Sequence, residues 1–381
     1  MSRRNMLLSA PLTASSARPA WDRPQRLGRS ELKVTRLGIG CEDIRSEDVI
    51  RRAADLGINY FHAFGNHELV GNELRPIRSR VVLAAGSAKP TREDMLRDLD
   101  TQLQQFRTDY IDLWYLTSKY KPELLTDDLI EGVLAAKASG KIGACAVAGH
   151  GIGSIRSRLD ELRGVVSAVM VVCNFATWEH RPDPDETRPR TSLPGGSRDD
   201  IIQLHRSGLG IVAMKPLMGG LRFVPGERKP WAESVDRENR RRAALTAALK
   251  WALNNPHVDC VPVMMTSIAD LEHNVRAART AFTESERKQL ALTIAQHGAG
   301  YCRMCAGCAG TCRYGLPVPD VLRWLMYAEG YGNLPRARAA FAGMPASWQR
   351  VRCADCGACT VDCRAGSDVR PRLIRAQSLL A

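Results

Sequence analysis

Eight of the 12 cysteines in this 381-residue chain fall in two runs of the same spacing. One is Cys302, Cys305, Cys308 and Cys312; the other is Cys353, Cys356, Cys359 and Cys363. Two-residue gaps let one loop wrap three thiolates around a face of a cubane, so the fourth thiolate must come from elsewhere. This is the ligand pattern of paired [4Fe–4S] clusters, in which the last Cys of each run serves the other cluster. By that rule Cys302, Cys305, Cys308 and Cys363 hold one cluster, and Cys353, Cys356, Cys359 and Cys312 hold the other. A zinc site is the competing reading, but it takes one CxxC with a second CxxC or a His pair and leaves no spare ligands. Structural disulfides would rarely repeat a spacing so regularly.

The elements that must position these thiols can be read around them. The segment from Pro319 to Tyr327 has an early proline and then an apolar face, the signature of a helix start. The cluster unit therefore resembles a helical ferredoxin more than the compact β-rich one. Arg313 and Arg364 stand where bacterial ferredoxins place Pro after the fourth Cys, which alters a turn and leaves the ligands in place.

Upstream, short apolar runs alternate with amphipathic ones. Strands are expected at 34–40, 58–63, 81–86, 110–116, 144–149, 168–174, 210–215 and 260–265. Helices are expected between them, for example over 92–106, 124–139 and 240–254, the last stopped by Pro256. Eight βα units of this length predict an α/β fold, a (β/α)8 barrel followed by a small, mostly helical iron–sulfur domain. A doubly wound sheet is the alternative, but no Gly-rich phosphate turn follows the first strand. The expected division is an extension at 1–23, the barrel at 24–298 and the cluster domain at 299–381. The long segments 176–197 and 217–238 would overhang the C-terminal mouth as lids or as plain insertions.

Composition narrows the function. The net charge is +13, yet the arginines are scattered and no nucleic-acid module accompanies them, so nucleic acid is excluded as a partner. The charge suits a solvated surface or docking to an acidic electron-transfer protein. No apolar run is long enough to cross a membrane. Ser2-Arg3-Arg4-Asn5-Met6-Leu7-Leu8 reads either as a twin-arginine-like export signal or as a disordered extension. Bacterial cytoplasm and twin-arginine export both stay open.

Several stretches resemble the aldo–keto reductase family, in its bacterial subfamily with a C-terminal iron–sulfur domain. They are residues 27–40, Asp109-Tyr110-Ile111-Asp112-Leu113, Ser139-Gly140-Lys141-Ile142-Gly143, residues 214–220 and Asp270-Leu271-Glu272-His273-Asn274. The resemblance implies a (β/α)8 barrel that binds NADP(H) across its C-terminal mouth. It also implies an Asp, a Tyr five residues later, a Lys and a His at the ends of strands two to four. In this chain those positions hold His62, His67, Gly86 and Thr117, so the standard carbonyl-reduction mechanism is not expected.

On the same resemblance, Asn174 would meet the nicotinamide. Lys215, Gly219 and Gly220 would meet the pyrophosphate, Ser267 the ribose phosphate and Asn274 the adenine side. Met264 and Ala148 depart from that pattern. The candidate working groups are His62 and His67 for protons and Lys215 for a fixed charge. His150 would share the mouth with both histidines, without a metal-ligand spacing. Cys41, Cys145, Cys173 and Cys260 read as core thiols, Cys173 being the best placed for chemistry. Two functions follow. One is an iron–sulfur oxidoreductase passing electrons between the clusters and a mouth ligand, with NADP(H), a small molecule or a carrier protein as partner. The other is an electron-carrier or interaction protein whose barrel is an inactive scaffold.

Overall fold

Apolar β-branched runs make the strands and their order makes the barrel. The structure, a computed structural model, describes residues 21–119, 122–150, 152–178, 198–221, 235–297, 302, 308–363 and 367–381. The extension 1–20, Cys305, Arg364 and most of both long mouth segments lie outside the described residues. A short hairpin, β1 (Gln25–Arg26) and β2 (Lys33–Val34), comes first. Eight parallel strands follow: β3 (Leu37–Gly40), β4 (Tyr60–His62), β5 (Val82–Ser87), β6 (Ile111–Lys119), β7 (Ile142–Gly149), β8 (Val166–Val172), β9 (Gly210–Met214) and β10 (Val261–Met264). They pair in chain order, with β10 beside β3. A parallel bridge between Val212 and Cys260, with Ala213 N–H donating to Cys260 O at 2.8 Å, joins the last two and closes the barrel.

Inside the barrel, the bulk of Tyr60 and Tyr115 is offset by Ala144, Ala146 and Ala148 across the lumen. This alternation of large and small fills a narrow barrel without voids. The two tyrosine hydroxyls, fully buried, satisfy each other at 2.9 Å. Leu27 and Val34 of the hairpin enter the same interior cluster. Trp21 is also buried against the barrel, so the folded unit includes it.

The outer layer is helical. Arg92–Phe106 is typical: Thr91 caps it by accepting from Asp94 N–H, and Met95, Leu99, Gln102, Leu103 and Phe106 form the buried face. The helices expected at 124–139 and 240–254 are Asp127–Ala138 and Val235–Asn254.

The C-terminal stretch is a separate cluster of short helices, Val318–Glu329, Leu334–Ala342, Ala346–Gln349 and Val369–Leu380. Leu322, Leu325, Phe341 and Leu373 form its own core. Its only strands among the described residues are β11 (Cys308–Ala309) and β12 (Asp362–Cys363), paired antiparallel. No described helix is long and apolar enough to cross a membrane.

Candidate functional site

The barrel mouth is partly roofed by the C-terminal unit. Helix Val318–Glu329 and the turn after it lie against two loops at the C-terminal ends of strands. After β3, Glu42 pairs with Arg336 at 2.8 Å and Asp43 accepts from Asn333 Nδ2 at 3.3 Å. After β9, the turn Met218–Leu221 meets Gly330 backbone to backbone. A Cβ on Gly330 would stand 2.5 Å from Gly219 O, and one on Gly220 would stand 2.7 Å from Gly330 O. Gly219 and Gly220 also hold positive φ, 72° and 77°. Half-exposed ion pairs add little, about 0–1 kcal/mol, so this close approach does more to define the contact than the Arg336–Glu42 bridge.

Beneath that roof lies Lys215. It ends β9 in a left-handed conformation, φ 56°, unusual for a residue with a side chain. Its Nζ donates to His150 Nε2, touches Met214 Sδ at 3.7 Å and lies 5.8 Å from the centre of the Tyr327 ring. Burial, and then Arg323, pull its amine down to about 7, with Arg336 acting the same way. Glu42 and Cys302 pull in the opposite direction. Tyr327 stacks on Tyr331, and burial pushes both phenols up. His150, expected at the mouth, meets Lys215 there, while Tyr327, Tyr331 and Glu42 belong to this site although the sequence assigned them no such role. The Tyr327–Tyr331 pair at helical i, i+4 spacing was the available signal.

Of the four family positions, His62 and Thr117 stand at the mouth. His62 is 9% exposed, stacked on Phe64 and edge-on to Tyr115. Burial lowers its pKa against a weaker opposing pull from Glu42, which favours the neutral ring. The Thr117 hydroxyl is buried with no hydrogen-bond partner among the described residues. His67 turns elsewhere. Its Nε2 accepts from Gly65 N–H at 3.2 Å, its Nδ1 bonds Gln105 Oε1 at 2.7 Å, and its ring lies on Phe106. Both ring nitrogens are thus occupied in the helical layer, and His67 does not join His62. Gly86 leaves no room for a side chain, since a Cβ would stand 2.3 Å from Tyr115 O.

The dinucleotide positions fare differently from the expectation. The Asn174 side chain donates to Lys215 O at 3.3 Å and accepts from Thr177 N–H at 3.1 Å, which caps helix Phe175–Trp178. Ser267 caps helix Ile268–Ala278, on which Asn274 lies half-buried. Met264 is 41% exposed at the end of β10. The Gly219–Gly220 turn lies against Gly330, and the Asn174 amide is held between Lys215 O and Thr177 N–H. Cys173 is fully buried, and burial pushes its thiol up to about 12, so it is an inert core thiol. Cys41, Cys145 and Cys260 are buried likewise.

Among the described residues, four C-terminal thiols share one pocket and two more face each other across a strand pair. Cys312 lines one pocket with Cys353, Cys356 and Cys359, although 40 residues separate it from the first of them. Arg370 lines the same pocket, and its buried Nε has no partner among the described residues. The other set meets through the β11–β12 pair, which places Cys308 opposite Cys363. Burial pulls the Arg372 guanidinium down while Cys302, Glu329 and Cys363 oppose it, so Cys302 and Cys363 both act on that one side chain. Among the described residues no three His, Cys, Asp or Glu converge tightly enough for a single metal ion.

Comparison with known proteins places the barrel. Residues 40–293 match the Aldo/keto reductase family, and the cysteine-rich stretch follows the matched segment. The chain is 25% identical over 304 residues to an uncharacterized oxidoreductase, YqkF, of Bacillus subtilis, covering 70% of this chain and 95% of that one. It is 23% identical over 290 residues to L-galactose dehydrogenase of Arabidopsis thaliana, covering 66% and 86%. The solved holo form of aldo-keto reductase AKR11C1 from Bacillus halodurans superposes with a TM-score of 0.56 at 21% identity. The superposition covers 71% of this chain and 96% of that one.

Proposed function

Since this chain belongs to the aldo/keto reductase family, we propose that it is an iron–sulfur oxidoreductase of that type. Two [4Fe–4S] clusters in the C-terminal unit would exchange electrons with a small molecule at the barrel mouth, by a route other than the Asp/Tyr/Lys/His mechanism. The carrying observation is the crossed gathering of thiols, Cys312 with Cys353, Cys356 and Cys359, and Cys308 with Cys363. Cys302 stands within electrostatic reach of Lys215, which supports electron exchange near the mouth. When bound, the clusters would store and pass single electrons.

The chain's own residues do the rest. Arg370 and Arg372 offset the negative charge of the thiolates. Tyr327 lies over the Lys215 side of the mouth, with Tyr331 stacked on it. Thr117 and the neutral His62 present a hydroxyl and an imidazole to the lumen end. No step is assigned to a nicotinamide, because its expected lip is occupied.

The test is anaerobic purification with iron and sulfide counting, then reduction and re-oxidation by small acceptors. Roughly eight iron and eight sulfide per chain are expected. Cys312→Ala should lose the cluster shared with Cys353, Cys356 and Cys359 and keep the other. A zinc-loaded protein with no charge-transfer absorbance after anaerobic reconstitution would overturn the reading. Loaded clusters that no small acceptor re-oxidises would favour the scaffold alternative, which the covered lip also suits.

A further inference from the structure

The barrel has lost the groups that polarise a carbonyl, yet it holds a lysine in an unusual setting. Lys215 is the only described lysine whose amine is held by an imidazole. Lys141 and Lys250, by contrast, sit on carboxylates, Asp100 and Glu286. The backbone at Lys215 is left-handed, a conformation that side-chain-bearing residues keep where the surroundings over-determine it, often at working sites. The Asn174 side-chain amide bonds the Lys215 carbonyl and holds that turn. Tyr327 covers the amine, and Arg323 and Arg336 of the C-terminal unit stand near it. Desolvation and neighbouring cations are the two devices that leave a lysine unprotonated near neutral pH.

We propose that Lys215 is a nucleophilic amine that condenses with small aldehydes or ketones to form an imine, with His150 as its proton partner. This deepens the barrel-mouth reading above and does not depend on iron. In the addition step the Nζ lone pair attacks the carbonyl carbon, a C–N bond forms, and the C=O π pair moves onto oxygen. His150 Nε2 takes one proton from the amine nitrogen and passes it to that oxygen, giving the carbinolamine. In the second step His150 takes the remaining N–H proton and delivers it to the hydroxyl, the C–O bond breaks, water leaves, and the C=N bond forms. Atoms balance as amine plus carbonyl giving imine plus water. No electron is transferred. The bound imine activates the α and β carbons of the ligand. Reduction of the C=N bond itself would leave the product fixed on Lys215 as a secondary amine, so the substrate class is small carbonyl compounds that react beyond the carbonyl carbon.

That dead end supplies the test. The full chain with its clusters is incubated with acetaldehyde and sodium cyanoborohydride at pH 7, and labelled lysines are mapped by mass spectrometry. Lys215 should alkylate about tenfold or more faster than exposed Lys33 and Lys137, because ordinary lysines are almost wholly protonated at that pH. Labelling should fall below pH 7. The groups facing the amine are His150, Tyr327, Arg323, Arg336, Glu42 and Cys302. His150→Ala should slow labelling of Lys215 and leave Lys33 unchanged. Even labelling of all lysines, or an unlabelled Lys215 in folded protein, would overturn the proposal. Iron content, measured on the same sample, separates that outcome from failure of the cluster reading.

Discussion

Gly330→Ala reports whether the C-terminal unit sits on the barrel as described. The backbone there is helical, φ −78° and ψ −50°, so alanine imposes no strain of its own. At a free helix end the change would stabilise by up to ~1 kcal/mol. Here the new methyl would stand 2.5 Å from Gly219 O and 2.8 Å from Met326 O. Both are backbone oxygens, which cannot swing aside as a side-chain tip would. Overpacking of this kind costs ~1–3 kcal/mol. The net is ~1–2 kcal/mol against the docked arrangement, or roughly a 5- to 30-fold fall in its population. Hydrogen exchange should rise at residues 215–221 and 326–333 and stay unchanged over 111–117 in the barrel wall. Gly164→Ala, with nothing within 4 Å, is the control and should be neutral or stabilise by ~0.4–1 kcal/mol. If Gly330→Ala leaves exchange at the Gly219 turn unchanged, or stabilises the protein as a free helix end would, the two units do not meet there.

Gly86→Lys, which restores the family residue, should destabilise by at least ~1–3 kcal/mol in thermal or urea melts, because Tyr115 O already occupies the Cβ position. Adding Asp, Tyr and His at positions 62, 67 and 117 should therefore not recover NADPH-dependent aldehyde reduction. His67→Ala should cost ~1–2 kcal/mol of stability through its bonds to Gly65 and Gln105 while leaving Lys215 labelling intact. Burial, with Arg323, holds the Lys215 amine near 7 in the folded chain against an ordinary 10.5. The unfolded chain then binds more protons between those values, so this group makes stability rise as pH goes from about 7 to about 10. Lys215→Met should flatten that rise in denaturant melts.

The strands were legible because buried parallel strands are written as continuous apolar runs. One boundary misled: 34–40 reads as a single strand but is β2 and β3. The break falls at Thr35–Arg36, where the Arg36 guanidinium turns inward to Leu253 O and Asn255 O. The cysteine spacing also anticipated that Cys312 would stand with Cys353, Cys356 and Cys359 in one pocket. His67 was misplaced because counting residues past a strand does not give direction. Asn66, with φ 54° and its amide donating to Cys41 O, Glu42 O and Ile44 O, turns the chain so that His67 opens a helix and faces Gln105. The roof over the mouth had no local pattern at all. Its central contact joins Gly219 to Gly330, and long-range packing of two glycines writes nothing into either neighbourhood.

The loss of the family's four groups and the gain of a roof belong to one rearrangement of the mouth. The old catalytic edge, at the ends of β4 to β6, is filled in. Tyr115 closes the space at Gly86, its hydroxyl is tied to Tyr60, His62 is buried and neutral, and His67 is drawn into the helix layer. Polar groups instead collect at the ends of three consecutive strands on the other side, His150 after β7, Asn174 after β8 and Lys215 after β9. That is an edge the C-terminal unit covers, with Tyr327 over the amine and Gly330 on the turn. Cys302 acts on that same lysine, so the covered edge also brings a thiol of the C-terminal unit within electrostatic reach of the barrel.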